Sequence, residues 1–186
     1  MDPSETALIN ILRLIDSLRK HECKTQIDKI LLRRKFVGII SFAIPNATAI
    51  AEIKKFVATD KVLEVGAGLG FWAKLLRLID IDVLSTDIEE QPISYIPIEK
   101  IDGVEAVKKY KDRNVLMMIW PEYKEWPNEV LQNFTGNKFI YIGNFSECAS
   151  EKFYERCENE WNIVTTVETA RWVDFNGDVY LYKKKL

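Results

Sequence analysis

A single histidine, His21, stands in the 186 residues. Without a second imidazole there is little basis for a histidine-dependent nucleophile, and His21, at the end of an amphipathic segment, reads as a helix-terminal cation. Cysteine is scarce and odd in number: Cys23, Cys148 and Cys157 contain no CxxC pair, so neither a disulfide framework nor a zinc site is expected. The carboxylates lack the paired arrangement of a metal-assisted enzyme, and no metal is expected. Long apolar runs are missing too. The longest, residues 36–44, falls well short of the roughly 20 residues that span a bilayer, and residues 1–10 carry acids where a secretory leader carries bases. Neither sign of charge dominates, with 26 Lys plus Arg against 28 Asp plus Glu and a net charge of −2, so nothing attracts the whole chain to nucleic acid or acidic lipid. The expectation is a cytoplasmic protein with reduced thiols, no membrane partner and no nucleic-acid partner signalled by charge.

What the sequence does have is a 47% hydrophobic content, enough for one compact domain with a short N-terminal extension. Leu8, Ile11, Leu12, Ile15 and Leu18 recur at helical spacing and predict a helix over residues 4–22. Thr25 is a candidate cap for a second helix, with Ile27, Ile30 and Leu31 as its stripe. The run 36–44 is ambiguous and ends at Pro45-Asn46, a turn that starts the next helix. Residues 1–46 thus form a helical cap, and residues 47–186 a second unit.

From residue 47 the pattern alternates: helix 49–58, strand 61–65, helix 70–79, strand 82–86, a short strand near 96–99, helix 104–110, a fully apolar strand 115–119, helix 128–133, strand 139–142 and helix 150–161. Strands 163–172 and 179–182 follow, joined through Asn176-Gly177, which suits a hairpin. This is an α/β chain of seven strands with helices on both faces and an antiparallel last pair.

The chemistry concentrates in Glu64-Val65-Gly66-Ala67-Gly68-Leu69-Gly70, a glycine-rich turn between an apolar strand and an amphipathic helix, where backbone can approach a ligand closely. Asp87, at the end of the second strand, can accept hydrogen bonds from both hydroxyls of a ribose. Each piece has a plainer reading: glycine turns are common, and Asp87 or Asp102 can simply cap a helix. A nicotinamide enzyme also competes, since Gly68, Gly70 and Ala73 satisfy G-x-G-x-x-A. Starting the fingerprint at Gly66, where the strand ends, puts Phe71 at its third glycine and breaks it.

The spacing resembles the first motif of class I S-adenosylmethionine-dependent methyltransferases, E-x-G-x-G-x-G. The order 41–45, 63–73, 112–121 and 141–143 is similar to a group of methyltransferase-like proteins over roughly residues 42–186. The resemblance implies a Rossmann-like class I methyltransferase sheet and S-adenosylmethionine as cofactor. It further implies cofactor contacts from Glu64, Gly66, Ala67, Gly68 and Gly70, a ribose clamp at Asp87, Ile88 on the adenine face, and Asp102-Gly103 at the adenine amino group. Trp120-Pro121-Glu122-Tyr123 looks like a displaced relative of the [Asn/Asp]-Pro-Pro-Tyr motif of amino-methyltransferases. Trp120 cannot accept a substrate hydrogen bond as an amide or acid does, and Glu122 replaces a proline. Trp120, Glu122 and Tyr123 are the candidate catalytic residues: Glu122 as a base or a holder of a cation, Trp120, Tyr123 and Trp126 as an aromatic frame. The plainer alternative buries Trp120 and Trp126 beneath the cap. Two readings stand, a methyltransferase of unassigned acceptor and a silent methyltransferase-like binding or regulatory module, with the nicotinamide protein behind them.

Overall fold

A computed structural model describes residues 3–20, 25–171 and 177–186. Two helices open the chain, α1 (Pro3–Arg19) and α2 (Gln26–Val37). Thr25 caps α2 in a reciprocal box: its hydroxyl accepts from Asp28 N and Asp28 accepts from Thr25 N, which satisfies two amides left without helical partners. Phe36 and Val37 finish α2, so the ambiguous 36–44 run is a helix end followed by irregular chain. His21 and Cys23 lie outside the described residues, and so does Asn176 of the expected hairpin turn.

The remaining elements alternate. They are α3 (Ala47–Val57), β1 (Val62–Val65), α4 (Phe71–Arg77), β2 (Val83–Asp87), β3 (Ile98–Lys100), α5 (Gly103–Lys109) and β4 (Val115–Ile119), then α6 (Trp126–Asn133), β5 (Lys138–Gly143), α7 (Glu151–Glu160), β6 (Trp161–Glu168) and β7 (Asp178–Lys184). The strands form one seven-stranded sheet in the order β3-β2-β1-β4-β5-β7-β6. All pairs from β3 to β5 are parallel, and β7 runs antiparallel to both β5 and β6. The order reverses between β1 and β4, the crevice where open α/β sheets bind ligands.

Alternate residues of each strand face opposite sides of the sheet, and this splits the core in two. Val62, Val115, Met117, Ile140 and Ile142 join a cluster that includes Ile50 and Ile53 of α3, Trp72 and Leu76 of α4, Leu8, Leu12 and Ile15 of α1, and Phe36 of α2. Leu63, Val65, Leu116, Met118, Phe139 and Tyr141 face a second cluster with α5, α6 and α7. The central strands β1 and β4 are covered on both faces, which is why β4 reads as an unbroken apolar run and β1 is interrupted only by the buried Glu64.

Of the boundaries that differ from the periodicity, two are explained by packing. Helix α7 stops at Glu160, and Trp161, expected in the helix, starts β6 because its ring is buried against Phe134 and Phe139. Strand β6 ends at Glu168, short of the expected 172, and Ala170 instead bridges Ile44. Cys148 and Cys157 are buried free thiols, and burial pushes Cys157 up to about 12, which keeps it protonated and unreactive. Among the described residues no helix is long and apolar enough to cross a membrane.

Candidate functional site

At the carboxyl ends of β1, β2 and β4 the chain leaves a cavity of about 570 Å³. That volume lies within the range of small-molecule and cofactor sites, about 300–1,000 Å³. Its floor is the turn after β1. Gly66, Gly68 and Gly70 all have positive φ, at 71°, 53° and 71°, a backbone that L side chains rarely adopt.

The three glycines answer to different neighbours. A Cβ on Gly68 would meet nothing within 4 Å, so this is where the backbone faces open space. A Cβ on Gly66 would come 3.1 Å from the Trp126 ring. At Gly70 it would stand 2.7 Å from Ile96 Cγ1, and Gly70 does not line the cavity. The third glycine is therefore set by packing under the loop and not by approach to a ligand, a departure from the expected contact set. Gly103 is likewise small because Val130 and Val65 would lie 2.7 and 2.8 Å from its Cβ, although it does border the cavity.

Asp87 ties the loop to β2: its Oδ2 accepts from Gly68 N at 2.8 Å and its Oδ1 from Glu89 N at 2.9 Å. A carboxylate offers about four acceptor positions, so two remain for a ligand. Ile88, beside it, is 64% exposed and lines the cavity. Asp102 caps α5, its Oδ1 accepting from Val104 N at 2.8 Å and Glu105 N at 3.2 Å. Capping and cavity lining coexist there, because both cap bonds fall on Oδ1 and Oδ2 remains.

Glu64 lies buried beneath the loop and accepts from Ser85 Oγ at 2.6 Å. Burial pushes its carboxyl up from the ordinary 4.5 to about 7, against the lowering by the Ser85 hydrogen bond and the Arg77 guanidinium. Glu64, Gly66, Ala67, Gly68, Asp87, Ile88, Asp102 and Gly103 thus converge on one space from three parts of the chain.

The candidate catalytic residues separate. Trp120 and Glu122 line the cavity, but Tyr123 is 62% exposed and stands outside the lining. The Pro121 and Glu122 carbonyls both accept from Ala149 N, which fixes the turn after β4 and leaves Tyr123 on the outer surface. Glu122 is exposed and ion-paired with Lys124. Trp120 and Trp126 are half-buried, so neither is merely filling the core, and both border the cavity.

Sequence reasoning missed the contribution of the segment before α3. Val37, Ile40, Ser41 and Phe42 line the cavity, and the Phe42 ring stacks on Trp120 with centroids 5.7 Å apart and planes 14° from parallel. The apolar 36–44 run was the one available signal, since a run too short for a membrane span and ended by Pro45 has to pack against the rest of the chain. Asn46 plays a purely architectural part outside the cavity, capping α3 by accepting from Ala49 N and donating to the Glu168 carbonyl.

No protein-family model matches the chain, and no curated protein matches it in sequence. Solved structures do. Magnesium protoporphyrin IX methyltransferase from Synechocystis PCC 6803, determined with bound S-adenosylmethionine, superposes with a TM-score of 0.56 at 11% identity, covering 100% of this chain and 98% of that one. Sp1610 of Streptococcus pneumoniae, a candidate tRNA (m1A22) methyltransferase, gives 0.54 at 12% identity over 76% and 72% of the two chains. A Streptococcus agalactiae protein of the NADB-Rossmann superfamily gives 0.54 at 8% identity over 76% and 70%. At these identities the likeness is one of fold. With seven strands, a reversed order between β1 and β4 and an antiparallel final pair, the chain has the class I methyltransferase-like fold, a Rossmann-like sheet closed by β7 and β6.

Proposed function

We propose that this chain is an S-adenosylmethionine-dependent methyltransferase whose cofactor occupies the cavity at the ends of β1, β2 and β4. One observation carries the reading: a glycine with nothing within 4 Å of its Cβ position, a carboxylate at the tip of β2 and a second at the start of α5 line the same 570 Å³ space. The donor set fits a nucleoside. Asp87 has acceptor capacity for two ribose hydroxyls beyond its backbone bonds, Asp102 Oδ2 suits an exocyclic amino group, and Ile88 offers an apolar surface to a flat ring.

Once bound, the cofactor supplies a methyl group activated by a positively charged sulfur. This chain's part is positioning and exclusion of water. Burial raises the Glu64 carboxyl to about 7, so near neutral pH it is only partly ionised, and a cation bound in the cavity would favour its charged form. Glu122 is tied to Lys124 and is not assigned the role of a free base. The cavity continues past the glycine turn to Trp120, Pro121 and Glu122, which leaves room for an acceptor and favours an active enzyme over a silent module.

Calorimetric titration with S-adenosylmethionine, S-adenosylhomocysteine and NAD tests the assignment. Micromolar binding of the first two is expected, weakened about tenfold or more in Asp87→Asn, which keeps an acceptor for Gly68 N but loses the charge-assisted bonds. Failure of the intact protein to bind S-adenosylhomocysteine, or a preference for NAD, would overturn the proposal.

A further inference from the structure

The nucleoside-binding groups use only part of the cavity. Its other wall is the Phe42–Trp120 pair, and both rings are held in place by interactions that a surface loop does not ordinarily have. Phe42 is 44% exposed although its neighbours Ala43 and Ile44 are buried. Three successive carbonyls fix its backbone: Arg33 donates to Ser41 O and Phe42 O, and Trp72 Nε1 donates to Ala43 O at 3.0 Å. Arg33 is 1% exposed, and a buried guanidinium is costly unless carbonyls receive it, so this contact specifies the path of the chain.

Trp120 is equally constrained. Its φ of 49° is a left-handed conformation for a bulky residue, and such strain collects where structure is held for function. Its N–H donates to Ile142 O at 2.6 Å, and its ring packs over Gly177, where a Cβ would come within 2.6 Å of Cζ3. The charge in the cavity lining is predominantly negative. Six carboxylates line the cavity, at 64, 87, 89, 102, 122 and 129, against one ammonium, Lys124, which Glu122 already pairs. None of the lysines of 108–111 or 183–185 reaches the lining.

We propose that the methyl acceptor is a small flat aromatic or heteroaromatic molecule, uncharged or cationic and free of phosphate, received on the Phe42–Trp120 wall. Arg33 is the positioning residue of that wall. The N-terminal helices then complete the acceptor half of the site. Aromatic faces attract flat and cationic groups, and the carboxylates repel anions. The inference rests on the methyltransferase reading and names the substrate class for the same site.

The test uses two probes that share a ring and differ in charge, tryptamine and indole-3-propionate, titrated calorimetrically into the full chain with and without saturating S-adenosylhomocysteine. Tryptamine is expected to bind at least about tenfold tighter, and Phe42→Ala to weaken it about tenfold while S-adenosylhomocysteine affinity changes less than about twofold. Arg33→Met is expected to behave like Phe42→Ala, and Arg33→Lys, which keeps one donor, to recover part of the loss; a purely structural role would lower both affinities together. Equal binding of the two probes, tighter binding of indole-3-propionate, or tryptamine binding indifferent to Phe42→Ala would overturn the proposal. Failure of the cofactor reading shows separately, as absent S-adenosylhomocysteine binding, while the probe comparison in its absence still reports on the wall.

Discussion

Replacing Glu64 with glutamine should make the protein more stable at alkaline pH and remove part of its pH dependence. Glu64 is 1% exposed, and burial raises its carboxyl from 4.5 to about 7. Because the folded-state pKa lies above the unfolded one, the unfolded chain gives up this proton first as pH rises. The stability contributed by the protonated group is complete below about pH 4.5, declines between there and about pH 7, and is absent above. At about 1.4 kcal/mol per pH unit the difference amounts to about 3.5 kcal/mol. A glutamine stays neutral throughout and can still accept from Ser85 Oγ. Urea unfolding of both proteins at about pH 5 and about pH 8 is the assay. The stability difference should move by about 2–3 kcal/mol in favour of Glu64→Gln between the two conditions. A difference constant to within about 0.5 kcal/mol would refute the reasoning, because it would mean that the carboxylate is solvated and ionised in the folded state across this range.

Other perturbations separate packing from binding. Asp102→Ser retains a cap for α5 and should leave the melting temperature nearly unchanged while S-adenosylhomocysteine affinity falls, whereas Asp102→Ala should also lose about 1 kcal/mol of stability in chemical denaturation. Gly70→Ala combines a positive φ with a contact of 2.7 Å to Ile96 and should cost about 2 kcal/mol or more by thermal unfolding. Gly68→Ala, with open space around its Cβ, should cost about 1 kcal/mol in stability but a larger factor in calorimetric cofactor affinity. Thr25→Ala should lower stability by about 1 kcal/mol and speed amide exchange in α2, since it removes one half of the capping box.

The order and type of the elements were legible in the sequence because they depend on neighbours in the chain. The apolar run of β4 was delimited at Val115–Ile119, Thr25 signalled the start of α2, and Asn46 that of α3. The glycine turn was legible for the same reason, since three closely spaced glycines after an apolar strand mark a backbone that side chains disfavour, and all three have positive φ. What each glycine faces was not. Gly70 reads like a cofactor contact in the motif, yet Ile96, distant in the chain, is what fixes it.

The wall of the cavity formed by Phe42 and Trp120 was decided almost wholly by tertiary packing. Tyr123 and Trp120 are three positions apart, but the turn anchored at Ala149 puts one on the surface and the other in the cavity. Trp161 left its helix for a strand because the aromatic cluster with Phe139 outweighs local preference. Phe42 became part of the site only because Arg33 and Trp72 hold its segment against β4's end. Periodicity and turn chemistry are short-range, so the sequence by itself determined the elements and the loop that faces a ligand. Which side chains share the cavity depends on contacts between segments far apart in the chain, and that was settled by the packing of the N-terminal helices on the sheet.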